Sequence, residues 1–353
     1  MIDIDFESLR LIGLTQTIAS QLHLLQPPDN PPATTRLVRI IEIQRDWLTV
    51  HDGRTEFRAR VLPALHDAAL AVGDWMLSTT LAHDEQWLSA QLPPTTHIAR
   101  RGNDGRHHRL VSNVDTALLV MGLDHDFNPR RLERYLAIVK TAGVEPVVVL
   151  SKADIGEDVQ ARMDLLRQRL PASIPLLAVN TLSDDAAVPL APWLGVGQTL
   201  VLLGSSGAGK SSLTNTLTQA GQQTGGVRKG DGRGRHTTTS RSLHLCAGGA
   251  CIIDTPGLRS WQPDADEASL TAAFEDIDAL AAQCQFRDCR HAGEPGCAVR
   301  GAVDDDRLLN YHKLIREARR SQQTPLERIA ETAKWKVMQR AATARTKEKN
   351  SKR

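Results

Sequence analysis

The run Gly204, Ser205, Ser206, Gly207, Ala208, Gly209, Lys210, Ser211 has the spacing G-x-x-x-x-G-K-S, and Ser212 follows it. Glycines let successive backbone N–H groups turn inward onto phosphate oxygens, beside the positive end of a helix dipole. Lys210 is long enough to reach the β- and γ-phosphates, and the Ser211 hydroxyl suits Mg²⁺. An apolar run, QTLVLLG (198–204), precedes the loop and a helical stretch, 210–220, follows it. That strand–loop–helix setting is the one the motif needs. The implied chemistry is the gripping of a nucleoside triphosphate.

Two further elements bear on the same chemistry. Asp254-Thr-Pro-Gly257 ends the apolar run ACIID (250–254), and D-x-x-G places a carboxylate near Mg²⁺ and a glycine N–H near the γ-phosphate. Between it and the phosphate loop lies 225–240, GGVRKGDGRGRHTTTS. Its closing threonines, Thr239 among them, are candidate Mg²⁺ ligands in a segment able to sense the γ-phosphate. The magnesium set expected is therefore Ser211, Thr239 and Asp254.

A guanine reader has the form N-K-x-D, its Asp accepting from the base N1–H and exocyclic amine. The nearest match is Ser151-Lys152-Ala153-Asp154, directly after PVVVL (146–150). A strand's C-terminal end is where an α/β sheet opens its ligand crevice. The match comes before the phosphate loop, so the order is circularly permuted. Asn180 and Thr181, after IPLLAV (174–179), stand where a further base-contacting loop would sit.

Three departures shape the expected mechanism. Ser151 occupies the Asn position; its hydroxyl can tie loops together but lacks the amide's two-sided bonding. Leu258 follows D-T-P-G where a Ras-like enzyme has a water-orienting Gln. Leucine can neither orient nor deprotonate water, so intrinsic turnover should be slow and another group must act. His236, in G-R-H-T-T-T, is the candidate to position water, alongside Lys210 in the catalytic set. Gly207, rather than Asn, argues against activation by K⁺.

Cys284, Cys289, His291 and Cys297 offer three thiolates and an imidazole within one short stretch. That donor set suits tetrahedral Zn²⁺ at a closed, structural site. Cys246 and Cys251 lie on or beside strands and read as core thiols. Five cysteines in a chain of 353 residues do not suggest a disulfide framework.

These groups need a scaffold. From residue 111, fully apolar runs alternate with helical segments at 129–142, 157–169 and 210–220, which implies a mostly parallel sheet covered on both faces. Upstream, LVRIIEI, DWLTVHDG, TEFRARVL and VGDWML alternate between turns, which predicts a small antiparallel β domain. Residues 1–25 could be helical, 26–36 hold four prolines and read as a linker, and 93–109 form a polar, basic stretch. The tail 334–353 carries eight basic residues and one acid.

The net charge of +2 gives no global argument for nucleic acid. Locally, Arg36, Arg39, Arg45, Arg54, Arg58 and Arg60 interleave with Trp47, Phe57 and Trp75, a mixture suited to phosphates and stacked bases. No apolar run approaches the ~20 residues that span a bilayer. Asp3, Asp5 and Glu7 stand where a signal peptide would be positive, so a cytoplasmic protein is expected.

The order S-K-A-D, G-S-S-G-A-G-K-S, G-R-H-T-T-T, D-T-P-G-L resembles the circularly permuted GTPases of the ribosome small-subunit-dependent GTPase A family. The likeness extends to Val72-Gly-Asp-Trp75, Asn113-Val-Asp-Thr116, Gly122-Leu-Asp124 with Phe127-Asn128, Arg131-Leu-Glu-Arg-Tyr135 and C-x-F-R-D-C at 284–289. It implies an N-terminal OB-fold barrel, a permuted P-loop GTPase domain and a C-terminal helical zinc domain. On that basis the expected division is an extension and linker (1–35), the RNA-binding barrel (36–96), a basic linker (97–112), the GTPase domain (113–262), the zinc domain (263–335) and a basic tail (336–353). It further implies Mg²⁺ with GTP, a monomer, no membrane, and partnership with the small (30S) ribosomal subunit and its 16S rRNA. Late subunit maturation, with subunit-stimulated hydrolysis, would be the function. The alternatives from other classes are a nucleotide-regulated RNA-binding module with little catalysis, favoured by Leu258, and an ATPase or small-molecule kinase.

Overall fold

The computed structural model describes residues 4–24, 35–44, 47–81, 84–101, 107–218, 241–256 and 274–323, with a few isolated positions besides. His236, Thr239, Gly257, Leu258, Arg45, most of the proline-rich linker and nearly all of the basic tail lie outside the described residues.

The N-terminal β domain is a closed barrel of β1 (Thr35–Ile43), β2 (Leu48–His51), β3 (Glu56–Val61), β4 (Trp75–Thr80) and β5 (Gln86–Gln91). Their hydrogen-bonded order is β1-β2-β3-β5-β4, and β4 pairs back onto β1 through Leu37↔Leu77. Closure removes the open edges that a small sheet would otherwise expose. Two short helices, α1 (Phe6–Leu11) and α2 (Gln16–Ala19), cover it. Leu9 and Ile18 of these helices, with Ile12 between them, share a buried cluster with Leu37, Trp75 and Leu77, so the expected extension is part of the barrel's packing.

Arg39 and Trp75 are both fully buried, so Trp75 is a core residue and Arg39 is no RNA contact. The Arg39 guanidinium donates to the carbonyls of Gly73, Ile12 and Asn113 and to Thr199 Oγ1. It thus fastens the N-terminal helix, the barrel and the following domain together. Arg36 over Phe57, and Arg60 over Trp47 and Trp87, remain outside.

The stretch 97–112, expected as a linker, is a hairpin of β6 (His97–Arg101) and β7 (His107–Ser112). Ile98, Leu110 and Val111 supply the reason: they are buried in the core of the next domain.

That domain is built on β8 (Thr116–Gly122), β9 (Glu145–Ser151), β10 (Leu176–Ala178), β11 (Thr199–Leu203), β12 (Ser242–Leu245) and β13 (Cys251–Asp254). Their order is β10-β9-β8-β11-β13-β12; β12 alone is antiparallel and joins the barrel through Glu42↔Ser242. β8, β9 and β11 are almost wholly buried, which accounts for their unbroken apolar sequence. One face is covered by α3 (Pro129–Thr141) and α4 (Val159–Arg169), the other by α5 (Lys210–Thr218). The C-terminal segment adds α6 (Glu275–Ala281) and α7 (Asp305–Gln322), which enclose their own apolar cluster with Ala137 of α3.

Candidate nucleotide site and metal centre

A cavity of about 360 Å³ opens at the C-terminal ends of β9, β10, β11 and β13. Its walls come from three segments far apart in sequence: Lys152, Asp154 and Ile155; Asn180, Thr181 and Leu182; and Ser206, Gly207, Gly209, Lys210, Ser211 and Ser212, with Thr255. The predicted phosphate and guanine loops therefore share one crevice, as the permuted order requires.

Local sequence explains the geometry. Gly204 lies against β8, where a Cβ would stand 2.3 Å from the Val120 carbonyl oxygen. Gly209 has φ +91°, a left-handed conformation that glycine adopts without strain. Between them the loop turns back, and α5 begins at Lys210. Ser205 and Ala208 complete the loop; Ala208 is buried beneath it.

Ser151 is fully buried at the end of β9, and its hydroxyl donates to the Ala208 carbonyl at 2.6 Å. Lys152, at φ +61°, turns the chain so that its ammonium meets Asp124 at 2.8 Å. Thr216 of α5 donates to the Thr181 carbonyl at 2.8 Å, which ties the second wall to the phosphate helix.

Lys210 is buried, with Nζ donating to the carbonyls of Gly204 at 3.1 Å and Ser205 at 2.8 Å. Burial pushes its pKa down, while Asp254 and Asp126 push the other way. Asp254 accepts from Ser211 Oγ at 3.2 Å through one oxygen. The other oxygen is buried with no hydrogen-bond partner among the described residues. Burial raises this carboxyl's pKa, with Lys210 and Ser211 opposing. A buried, unpartnered carboxylate oxygen beside a serine hydroxyl is a donor set that a hard divalent cation completes, so these residues fit Mg²⁺.

Asp124 and Asp126, which sequence reasoning gave no role, reach the site from the loop after β8. Two acids directly beyond an apolar strand, at the crevice end of the sheet, were the available signal.

Cys284, Cys289, His291 and Cys297 come together with their ligand atoms all within 4.8 Å of one another. His291 Nδ1 lies 3.6 Å from Cys284 Sγ and 3.4 Å from Cys297 Sγ. The backbone N–H groups of Ala298 and Arg300 donate to the Cys284 and Cys297 sulfurs, each at 3.4 Å. Sulfurs that accept such bonds are suited to the thiolate form that zinc requires. Cys246 and Cys251 are buried and apart from this cluster.

Residues 92–264 match the RsgA GTPase family. The Small ribosomal subunit biogenesis GTPase RsgA of Xanthomonas axonopodis pv. citri is 44% identical over 316 residues, spanning 84% of this chain and 85% of that protein. The chain belongs to the RsgA GTPase family. Its counterpart in Xanthomonas euvesicatoria pv. vesicatoria is 47% identical over 281 residues, 77% of this chain and 75% of that one. Among solved structures, YjeQ from Thermotoga maritima aligns with TM-score 0.60 at 22% identity, covering 80% of this chain and 98% of its own. YloQ, described as a circularly permuted GTPase, aligns at 0.57 and 22%, covering 84% and 98%. At those identities the two structures establish the shared fold: barrel, permuted nucleotide domain and C-terminal segment.

Proposed function

We propose that this RsgA-family GTPase hydrolyses GTP to GDP and phosphate while bound to the small (30S) ribosomal subunit, and thereby assists late maturation of that subunit. The observation that carries the reading is one crevice lined by Asp154, the phosphate loop and Thr255, with Asp254 bonded to its Ser211 and the Ser151–Ala208 bond joining its two sides. Family membership and the relatives' names supply the ribosomal partner.

In this reading Asp154 selects guanine, Ser151 and Lys152 hold its loop, and 204–212 bind the phosphates, with Gly257 at the γ-phosphate. Lys210 balances charge that builds on the phosphates in the transition state. Ser211, Thr239 and Asp254 hold Mg²⁺, which when bound neutralises the phosphate oxygens. His236 positions the attacking water in place of a glutamine. The zinc ion held by Cys284, Cys289, His291 and Cys297 is structural.

The division proposed is the barrel (36–96) with its N-terminal helices, the GTPase domain (113–262) with the hairpin 97–112 packed into it, the zinc domain (263–335) and the basic tail (336–353), the barrel and hairpin contacting 16S rRNA. Arg36 and Arg60 on aromatic rings, and exposed Arg287, Arg290, Lys313 and Arg316 beside the zinc cluster, support two phosphate-facing surfaces. The protein acts as a cytoplasmic monomer; no described helix is long and apolar enough to cross a membrane.

Competition against fluorescent GDP tests the nucleotide assignment. GTP and GDP should displace the probe and ATP should not, even in large excess. Equal displacement by ATP would replace this reading with that of an ATPase or small-molecule kinase.

A further inference from the structure

The turn between β8 and α3 touches both halves of the nucleotide cavity. Ser205, second in the phosphate loop, donates its hydroxyl proton to Asp126 Oδ1 at 2.6 Å across 79 positions of sequence. Asp126 Oδ2 accepts from the Gly122 N–H at 3.2 Å, and Arg131 of α3 forms an ion pair with the same carboxylate. Two residues earlier, Asp124 holds Lys152 of the guanine loop. One short turn thus braces the phosphate grip and the base reader.

The bond to Asp126 is not redundant with the other contact on Ser205. The Ser205 carbonyl accepts from Lys210 Nζ, the ammonium that a phosphate oxygen competes for. Asp126 holds the hydroxyl instead, on the side of the loop that faces β8. A carboxylate so near bound phosphates would repel them were it not paired, and Arg131 supplies the compensating charge.

The helix that carries Arg131 also carries the contacts to the C-terminal domain. Glu133, two residues on, is buried and accepts from Arg169 at 2.9 Å, Arg307 at 3.0 Å and Asn310 at 2.6 Å. Arg134 adds two bonds to Glu317, at 2.6 and 3.1 Å. α3 is therefore clamped to α7 at one end of this sequence and to the phosphate loop at the other.

We propose that Asp126 is a positioning residue for nucleotide binding: through Ser205 it fixes the phosphate loop to α3, the helix on which the C-terminal domain is docked. The proposal rests on the nucleotide reading above, but not on stimulation of hydrolysis by the ribosome.

A double-mutant cycle on the affinity of the full chain for fluorescent GDP tests it, with Asp126→Ala, Ser205→Ala and the pair. Each single change should weaken binding by about tenfold or more, and the pair should be no weaker than Asp126→Ala, because the contact that Ser205→Ala removes is already absent there. Ser205→Thr keeps the hydroxyl and should recover most of the affinity that Ser205→Ala loses. Zinc content and melting temperature control for misfolding. Singles that leave affinity unchanged, or losses that add, would overturn the proposal. Should Asp126→Ala fail to fold, Ser205→Ala against Ser205→Thr decides: a loss restored by threonine supports it, and equal affinities overturn it. A parent protein that binds no GDP would instead strike down the nucleotide reading, and this inference with it.

Discussion

The Ser151 hydroxyl donates to the Ala208 carbonyl at 2.6 Å, joining the end of β9 to the phosphate loop across 57 positions of sequence. In an N-K-x-D motif an asparagine stands at this position; here a shorter side chain reaches the loop because β9 and β11 bring the two turns close. Removing it leaves a buried carbonyl unpaired, at a cost of about 1–3 kcal/mol. Ser151→Ala should therefore weaken GDP and GTP binding by about tenfold, measured by titration of a fluorescent analogue. Unchanged affinity would show that the bond is incidental.

The buried Asp254 carboxyl gives a pH prediction. Burial sets its pKa above the ordinary carboxylate value. An acid raised in the folded state binds its proton more tightly there, so the nucleotide-free fold loses stability as pH rises through that window. Mg²⁺ requires the ionised form and reverses this. The melting-temperature gain from Mg²⁺ with GDP should therefore grow as pH rises above the ordinary carboxylate range. In Asp254→Asn the gain should be small and flat, which separates the carboxylate's titration from that of the nucleotide phosphates.

Zinc removal should act on the C-terminal domain and spare the nucleotide cavity. Cys284 and Cys297 pack against the apolar cluster of Phe274, Ile277 and Leu314, which is distinct from the two clusters flanking the sheet. Cys289→Ser or a strong chelator should release one equivalent of zinc and abolish the fold of 274–323, seen as lost amide protection in hydrogen exchange. Fluorescent GDP should still bind within about threefold. Protection that survives metal loss would refute a structural role.

Glu133 is the acid shared by two buried arginines, Arg169 and Arg307. Glu133→Ala removes that acid, while Asp306 still meets Arg169 and Asp276 still meets Arg307 at the rim. The expected cost is about 1–3 kcal/mol in urea unfolding, that of buried donors left short of an acceptor and still above an exposed pair. Lys140→Ala, which breaks an ion pair to the exposed Glu275, should cost less than about 1 kcal/mol.

Contiguous chemistry was the legible part of this sequence. The phosphate loop, D-T-P-G, S-K-x-D and the Cys/His cluster each lie within a short run, and their order alone implies the permuted sheet. Contacts made across long separations were not legible. Nothing local to Asp126 indicates Ser205, and nothing near Glu133 indicates Arg307. Composition also misled where few residues carried the fold: Ile98, Leu110 and Val111 bury a stretch whose arginines and histidines suggest a linker. Arg39 followed an alternating strand pattern outward, yet four backbone and hydroxyl oxygens draw its guanidinium inside.

Triggering by the small ribosomal subunit is tested by GTP turnover of the purified chain, alone and with added subunits, beside Lys210→Ala. A slow basal rate that rises by at least about tenfold with subunits and vanishes in the variant is expected. A rate indifferent to subunits would contradict it, leaving the phosphate loop as the regulator of an RNA-binding module.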